Sequence, residues 1–320
     1  MTLIKQPTPE NTLLAARNLK IGALIGLPTE TVYGLAADAE NENAVKRIYE
    51  VKGRPLNHPL IVHIGCIEYL EKWAIDVPEY ALTLAKTFWP GPMTLILKRS
   101  EITRDFITGG QESVAIRFPQ NEIALSVLNN FHQLGGNGLA APSANKYGAV
   151  SPTDALSVEE ELGLKLDIET DFILNGGQSE VGIESTIIDC LSTHKPKILR
   201  SGFVTQNDIQ ECTHYEVIQN LGENQIRFPG GLESHYSPKA KVILEGAPQC
   251  GDGFIALSSI DTPEGCVRLS SPANLIDYAR DLYSALRRGD KKGLKRIYVL
   301  IPEGEGIVAA IRERMTKASR

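Results

Sequence analysis

Ile21-Gly-Ala-Leu-Ile-Gly-Leu-Pro-Thr-Glu-Thr-Val-Tyr-Gly34 is an apolar run of strand length that ends at a proline and passes into hydroxyls and a carboxylate. Ile21–Leu27 reads as a buried strand, and Pro28 stops it because proline cannot donate to the ladder. Open α/β sheets bind ligands beyond the carboxyl ends of their strands, so Thr29, Glu30 and Thr31 stand where a pocket would form. Gly34 permits a tight backbone there. A turn with a helix cap fits the same residues equally well. Working outward, the chain alternates short apolar runs with amphipathic stretches, the pattern of an α/β fold. Asn43–Val51 reads as a helix with Asn41 as its cap, and Glu79–Phe88 as a helix closed by Trp89-Pro-Gly-Pro92. Glu122–Phe131 reads as a third helix. Strands are expected at Leu60–Ile64, Met93–Lys98, Val114–Phe118, Leu139–Ala141, Ser185–Cys190 and Lys197–Arg200.

Past Gly202 the character changes. A polar stretch with a Pro-Gly-Gly turn at 229–231 precedes a second small α/β unit. Its strands are expected at Val242–Leu244, Phe254–Leu257 and Ile297–Ile301, and its helices at Asn274–Arg288 and Ile307–Thr316. This divides the chain into a first domain at 1–205, a linker at 206–240 and a small domain at 241–320. A length of 320 residues leaves room for two such units.

Composition narrows the class. Lys and Arg total 33 against 39 Asp and Glu, a net charge of −6 that argues against nonspecific nucleic-acid binding. The five cysteines are scattered and form no Cys-x-x-Cys pair, which suits a reducing cytosol and offers no zinc site. No apolar run reaches the ~18 residues of a membrane span, and the start has no apolar signal core. A cytoplasmic protein without membrane attachment is expected.

Cations then recur at element ends. Lys52 and Arg54 flank a glycine at the end of the Asn43–Val51 helix, where positive charge also complements a helix dipole. A stiff loop bearing Asn57 and His58 follows, and the next strand sets His63 apart from Val62 and Ile64. Arg117 stands late in an apolar strand, where it needs a buried carboxylate or an anionic ligand in fork geometry. Ala140-Ala-Pro-Ser-Ala-Asn145 follows a short strand, and its small residues allow close backbone approach while Ser143 and Asn145 can hydrogen-bond. Ser151-Pro-Thr-Asp154 fits a helix cap, and Gly182-Ile-Glu-Ser-Thr186 and Arg200-Ser-Gly202 fit plain turns as readily as a site. The Walker, dinucleotide and His-Glu-x-x-His motifs are absent. What remains is a pocket for small anions.

Pro28-Thr-Glu-Thr-Val-Tyr-Gly-Leu35, Lys52-Gly-Arg-Pro55, Pro59-Leu-Ile-Val-His63, Pro142-Ser-Ala-Asn145 and Glu184-Ser-Thr186, in this order, closely resemble the YrdC-like family. With the added C-terminal unit the chain is similar to its long, two-domain branch, the threonylcarbamoyl-AMP synthases. The resemblance implies a twisted, mixed, open sheet with helices plus a small Rossmann-like domain. It implies a reaction joining L-threonine, bicarbonate and ATP into threonylcarbamoyl-adenylate with release of pyrophosphate. Downstream transferase proteins would use that product to modify tRNA next to the anticodon, with possible tRNA contact, and Mg²⁺ would arrive on the ATP phosphates. It places Thr31, His63, Arg117, Ala141 and Ser185 around threonine. Arg54, His58, Ser113, Ser143, Asn145, Ser151, Arg200 and Tyr236 would surround ATP, with Lys52 and Arg54 acting electrostatically and no covalent nucleophile. The linker pattern corresponds to Pro229-Gly-Gly-Leu-Glu-Ser-His-Tyr-Ser-Pro238, with Gly231 and Ser237 at positions where the family has Met and Ala, and it is expected to fold over the pocket. The alternative from another class is a non-catalytic double-stranded RNA-binding module. A carbamoyltransferase of the hydrogenase-maturation type would need cysteine pairs that this chain lacks.

Overall fold

The computed structural model describes residues 2–192, 194–219, 226–231 and 236–320. Among them the first sheet has eleven strands: β1 Ile4–Lys5, β2 Ile25–Leu27, β3 Gly34–Asp38, β4 Ile61–His63, β5 Met93–Lys98, β6 Ser113–Arg117, β7 Leu139–Ala140, β8 Phe172–Leu174, β9 Thr186–Asp189, β10 Lys197–Arg200 and β11 Ile218–Gln219. They lie in the order β1-β8-β2-β3-β7-β4-β6-β5-β9-β10-β11. The sheet is mixed: β4 runs parallel to β6 and β5 to β9, while β3 and β7, and β5 and β6, are antiparallel. Its helices are α1 Pro9–Lys20, α2 Glu42–Lys52, α3 Leu70–Trp73, α4 Glu79–Phe88, α5 Asp105–Thr108, α6 Glu122–Gln133, α7 Ala155–Leu162 and α8 Gln206–Thr213.

Local chemistry explains most of these boundaries. Asn41 caps α2 by accepting from the Ala44 N–H, and Asp154 caps α7 by accepting from Ser157. The expected strand from Ile21 begins only at Ile25, because α1 runs to Lys20 and turns through Ile21 and Gly22. Residues 206–219, expected as the start of the linker, fold as α8, with a Thr205–Asp208 capping box, and β11, which extends the first sheet beside β10.

The C-terminal unit has strands β12 Lys241–Ile243, β13 Gly253–Ile255, β14 Val267–Ser270 and β15 Arg296–Val299, parallel in the order β12-β15-β13-β14. Helices α9 Leu275–Lys291 and α10 Ile307–Ala318 pack on one face, burying Val242, Ile255, Ile297 and Val299. The same core takes in Val32, Val150 and Ile183 of the first unit, so the two units share apolar packing. Gly182 lets the backbones meet: a Cβ there would lie 2.3 Å from the Arg280 carbonyl of α9. Arg287 of α9 pairs with Glu161 at 3.2 Å and Lys291 with Glu160 at 2.8 Å. Among the described residues no helix is long and apolar enough to cross a membrane.

Candidate active site

One pocket gathers the ends of many elements. The β2–β3 loop supplies Thr29, Thr31 and Gly34, and β4 supplies Ile61 and His63. Arg117 comes from β6, Ala141 to Ser143 from the turn after β7, Glu184 and Ser185 from the entry to β9, and Arg200 from the end of β10. Val32, Arg54, Pro229, Gly230 and Tyr236 complete the lining. About 40 Å³ of free space remains between them, far below the roughly 300–1,000 Å³ of a ligand site. Pro229, Gly230 and Tyr236 line this narrow pocket from the linker side.

Register sets the first cluster. His63 and Arg117 are partners on adjacent parallel strands, so both side chains share one face of the sheet. Arg117 donates through Nη2 to Glu30 Oε1 at 2.6 Å and through Nη1 to Thr31 Oγ1 at 2.7 Å. The carboxylate partner that its strand position requires is thus within the chain, and Nε has no hydrogen-bond partner among the described residues. Burial, with Arg117 beside it, pushes the His63 imidazole down to about 3, so the ring is neutral at ordinary pH. Its Nδ1 lies 3.3 Å from the Ile61 carbonyl. A proton on Nδ1 leaves Nε2 as an acceptor. Ser185 Oγ bridges Thr94 Oγ1 at 2.7 Å and Arg200 Nη2 at 3.0 Å.

Arg200 also donates from Nε to the Ser185 carbonyl and from Nη1 to the Pro229 carbonyl, both at 3.0 Å. Arg54 donates to the Pro59 carbonyl at 2.9 Å, and its Nε is buried without a partner among the described residues. Its guanidinium stands 5.6 Å from the Tyr147 ring, and the Tyr147 hydroxyl lies 3.0 Å from His58 Nδ1.

The sequence-derived set divides here. Thr31, Arg54, His63, Arg117, Ala141, Ser143, Ser185, Arg200 and Tyr236 line the pocket; Lys52, His58, Ser113, Asn145 and Ser151 stand behind or beside it. Lys52 is fully desolvated and lowered well below the ordinary lysine range by burial and then by Arg54. It reaches the carbonyls of Ser143 and Asn145, the latter at 2.6 Å, and so holds the Ser-x-Asn loop from behind. Asn145 donates to the Lys146 and Ala149 carbonyls at 2.8 Å. Ser113 shares the face of Arg117 at the far end of β6, where Phe228 packs over Ile61, Ala115 and Leu199. Ser151 donates to Glu184 Oε1 at 2.6 Å.

Glu184, in a stretch that reads as a turn as readily as a site and given no role of its own, is the most heavily bonded carboxylate of the site. Tyr283 donates to its Oε2 at 2.8 Å and Arg314 Nε at 3.1 Å. Burial pushes its carboxyl up, but Arg314, Arg200 and the hydrogen bonds from Ser151 and Tyr283 outweigh it and hold the group at about 2. Tyr283 and Arg314 carried no local signal of a site role, while Glu30 stands in the stretch expected to border a pocket, without a role of its own. His235 lies outside the described residues. Among those residues no group of three His, Cys, Asp or Glu side chains is placed to hold a metal ion.

A family model described as "Telomere recombination", for Sua5, YciO and YrdC proteins, matches residues 17–202. A second, described as "Threonylcarbamoyl-AMP synthase, C-terminal domain", matches residues 204–320. The chain is 38% identical to the threonylcarbamoyl-AMP synthase of Pyrococcus abyssi, over 96% of this chain and 93% of that one. It is 36% identical to that of Bacillus subtilis, over 95% and 92%. The crystal structure of P. abyssi Sua5 complexed with L-threonine superposes with a TM-score of 0.87 at 35% identity, covering 100% of this chain and 97% of that one. The chain belongs to the Sua5/YciO/YrdC family, in its two-domain Sua5 form.

Proposed function

We infer that this chain is an L-threonylcarbamoyladenylate synthase, an ATP-using adenylyltransferase. The observation that carries the reading is that Arg54, Arg117 and Arg200, from three distant stretches, converge on one buried pocket. All three reactants are anionic, and desolvated cations with fixed donors stabilise such charge far better than water-exposed ones.

Threonine sits against Thr31, His63, Arg117, the Ala141 backbone and Ser185. Arg117 Nε, turned from Glu30, is the donor left for its carboxylate. Neutral His63 accepts a proton of the amine or hydroxyl through Nε2. The free amine attacks the carbon of bicarbonate, losing water, and a carbamate oxygen then attacks the α-phosphorus of ATP. The P–O bond to the β-phosphate breaks and pyrophosphate leaves. No protein nucleophile takes part, so the rate enhancement comes from positioning and charge stabilisation. Arg54, Ser143 and Arg200 face the phosphates, with Tyr236 above them and His58, Ser113, Asn145 and Ser151 supporting the same subsite. Lys52 acts through the loop it holds. Mg²⁺ comes as part of the nucleotide substrate.

Closure by Pro229, Gly230 and Tyr236 excludes water from a labile adenylate. The product goes to a transferase that modifies tRNA, in the cytoplasm. Domain limits of 1–205, 206–240 and 241–320 describe the working units, with α8 and β11 attached to the first sheet. A double-stranded RNA-binding role needs exposed cations, and Lys52, Arg54, Arg117 and Arg200 are each under 10% exposed.

The test is pyrophosphate release from MgATP with L-threonine and bicarbonate omitted in turn. Release that depends on both is expected; release indifferent to threonine overturns the assignment.

A further inference from the structure

Helix α10 sends three charged side chains toward the pocket, and the proposed chemistry uses none of them. Arg314 is fully buried and touches three parts of the first unit and linker at once. Its Nε pairs with Glu184 Oε2 at 3.1 Å, its Nη1 donates to the Ser201 carbonyl at 2.6 Å, and its guanidinium lies 5.5 Å from the centre of the Tyr236 ring. Lys317, one turn later, donates to the Gly230 carbonyl at 2.6 Å. Glu313 ties the pair together, accepting from Lys317 at 2.9 Å and from the Ser201 N–H at 2.9 Å.

A docking helix gains adhesion from apolar contacts alone, and Ile311 and Met315 of α10 already supply them. Burying a guanidinium there carries a large desolvation cost that a leucine would not. What the guanidinium adds is direction. Through Glu184 it fixes Ser151, through Ser201 it fixes the residue next to Arg200, and through its face it fixes Tyr236. The Gly230 carbonyl is held by Lys317 while the adjacent Pro229 carbonyl is held by Arg200, so the covering turn is gripped from both domains.

We propose that Arg314 is a positioning residue for the nucleotide subsite and that, with Lys317, it makes α10 the latch that keeps Gly230 and Tyr236 over the pocket. This rests on the synthase reading of the site. It gives the C-terminal domain a task in the reaction: setting how readily the cover opens to nucleotide and how firmly it closes.

The full-length chain is compared with its Lys317→Met, Arg314→Gln and Arg314→Lys variants. The readouts are steady-state pyrophosphate release, with KM taken separately for ATP and threonine, and chymotryptic cleavage at Phe228 and Tyr236. Loss of the charge-assisted hydrogen bond to Gly230 predicts an ATP KM raised on the order of tenfold in Lys317→Met, with threonine KM within about twofold and faster cleavage. Arg314→Gln exceeds that rise, and Arg314→Lys recovers part of it. Unchanged ATP KM and unchanged cleavage in Lys317→Met overturn the proposal, as does an equal rise in both KM values. If Arg314→Gln does not fold, Lys317→Met decides alone, because its side chain is at the helix rim. A wild-type chain without threonine-dependent release overturns the synthase reading itself, an outcome separate from a working wild type whose variants match it.

Discussion

Arg117 Nη2 lies 2.6 Å from Glu30 Oε1, and the two side chains are only 5% and 3% exposed. The cation proposed to face threonine is therefore already neutralised and fixed, with Nε the guanidinium nitrogen that has no hydrogen-bond partner among the described residues. Removing one partner of a buried pair leaves an uncompensated charge, so Glu30→Ala should lose about 3–5 kcal/mol of stability in denaturant titration. Arg117→Ala should raise the threonine KM more than the ATP KM in steady-state assays; the reverse order would show the two subsites exchanged.

Arg54 has a buried Nε without a partner among the described residues and a guanidinium held near Tyr147. A charge-assisted contact in such a site is worth roughly 1.5–3 kcal/mol, so Arg54→Ala should raise the ATP KM by about 10- to 100-fold. Arg54→Lys should recover little, since a lysine cannot reproduce the planar fork. Full recovery by lysine would mean that only charge matters there.

His63 sits at about 3 against an ordinary 6.5, so folding favours its neutral ring. Its contribution to stability is complete above pH 6.5 and is lost as pH falls from there toward 3. Glu184, held near 2 against 4.5, adds a second loss that begins below 4.5. At about 1.4 kcal/mol per unit the His63 contribution is on the order of several kcal/mol. Denaturation at stepped pH should show stability falling between pH 6.5 and 4.5, and His63→Gln should flatten that slope. An NMR titration in which the His63 ring protonates near 6.5 would sink this assignment.

Gly230 has φ +83°, and a Cβ on it would lie 2.3 Å from the Tyr236 hydroxyl oxygen. Gly230→Ala should displace the tyrosine, raise the ATP KM and speed proteolysis of the covering turn. Gly231→Ala, whose new Cβ would meet its nearest neighbour at 3.1 Å, should change both much less. Equal effects of the two substitutions would remove Tyr236 contact as the cause.

Several elements were legible to the residue. Glu79–Phe88, Met93–Lys98 and Lys197–Arg200 fold over the expected spans because proline or polar residues bound clean apolar periods. Helix α1 escaped notice since its buried face is built largely of Thr12, Ala15, Ala16 and Leu19, a weak apolar stripe. Strand β3 was hidden within a stretch that also reads as a ligand loop. The polar composition of 206–219 suggested a linker, yet Ile209 and Val217 are buried in the first core. A few apolar anchors outweigh a polar average once a sheet edge is available.

The sequence by itself determined the course of several helices and strands, the caps at Asn41 and Asp154, and a set of cations placed to meet anions. Capping, proline stops and side-chain alternation act over a few residues, so they survive without any knowledge of the fold. Tertiary structure alone decided what each cation does. Lys52 and Arg54 are two residues apart, but the chain turns at Gly53, sending one under the Ser143 loop and the other into the pocket. Arg314 and Glu184 are 130 residues apart, and nothing local marks them as a pair. Only the docking of α10 brings them together, and it removes the water that would otherwise screen both.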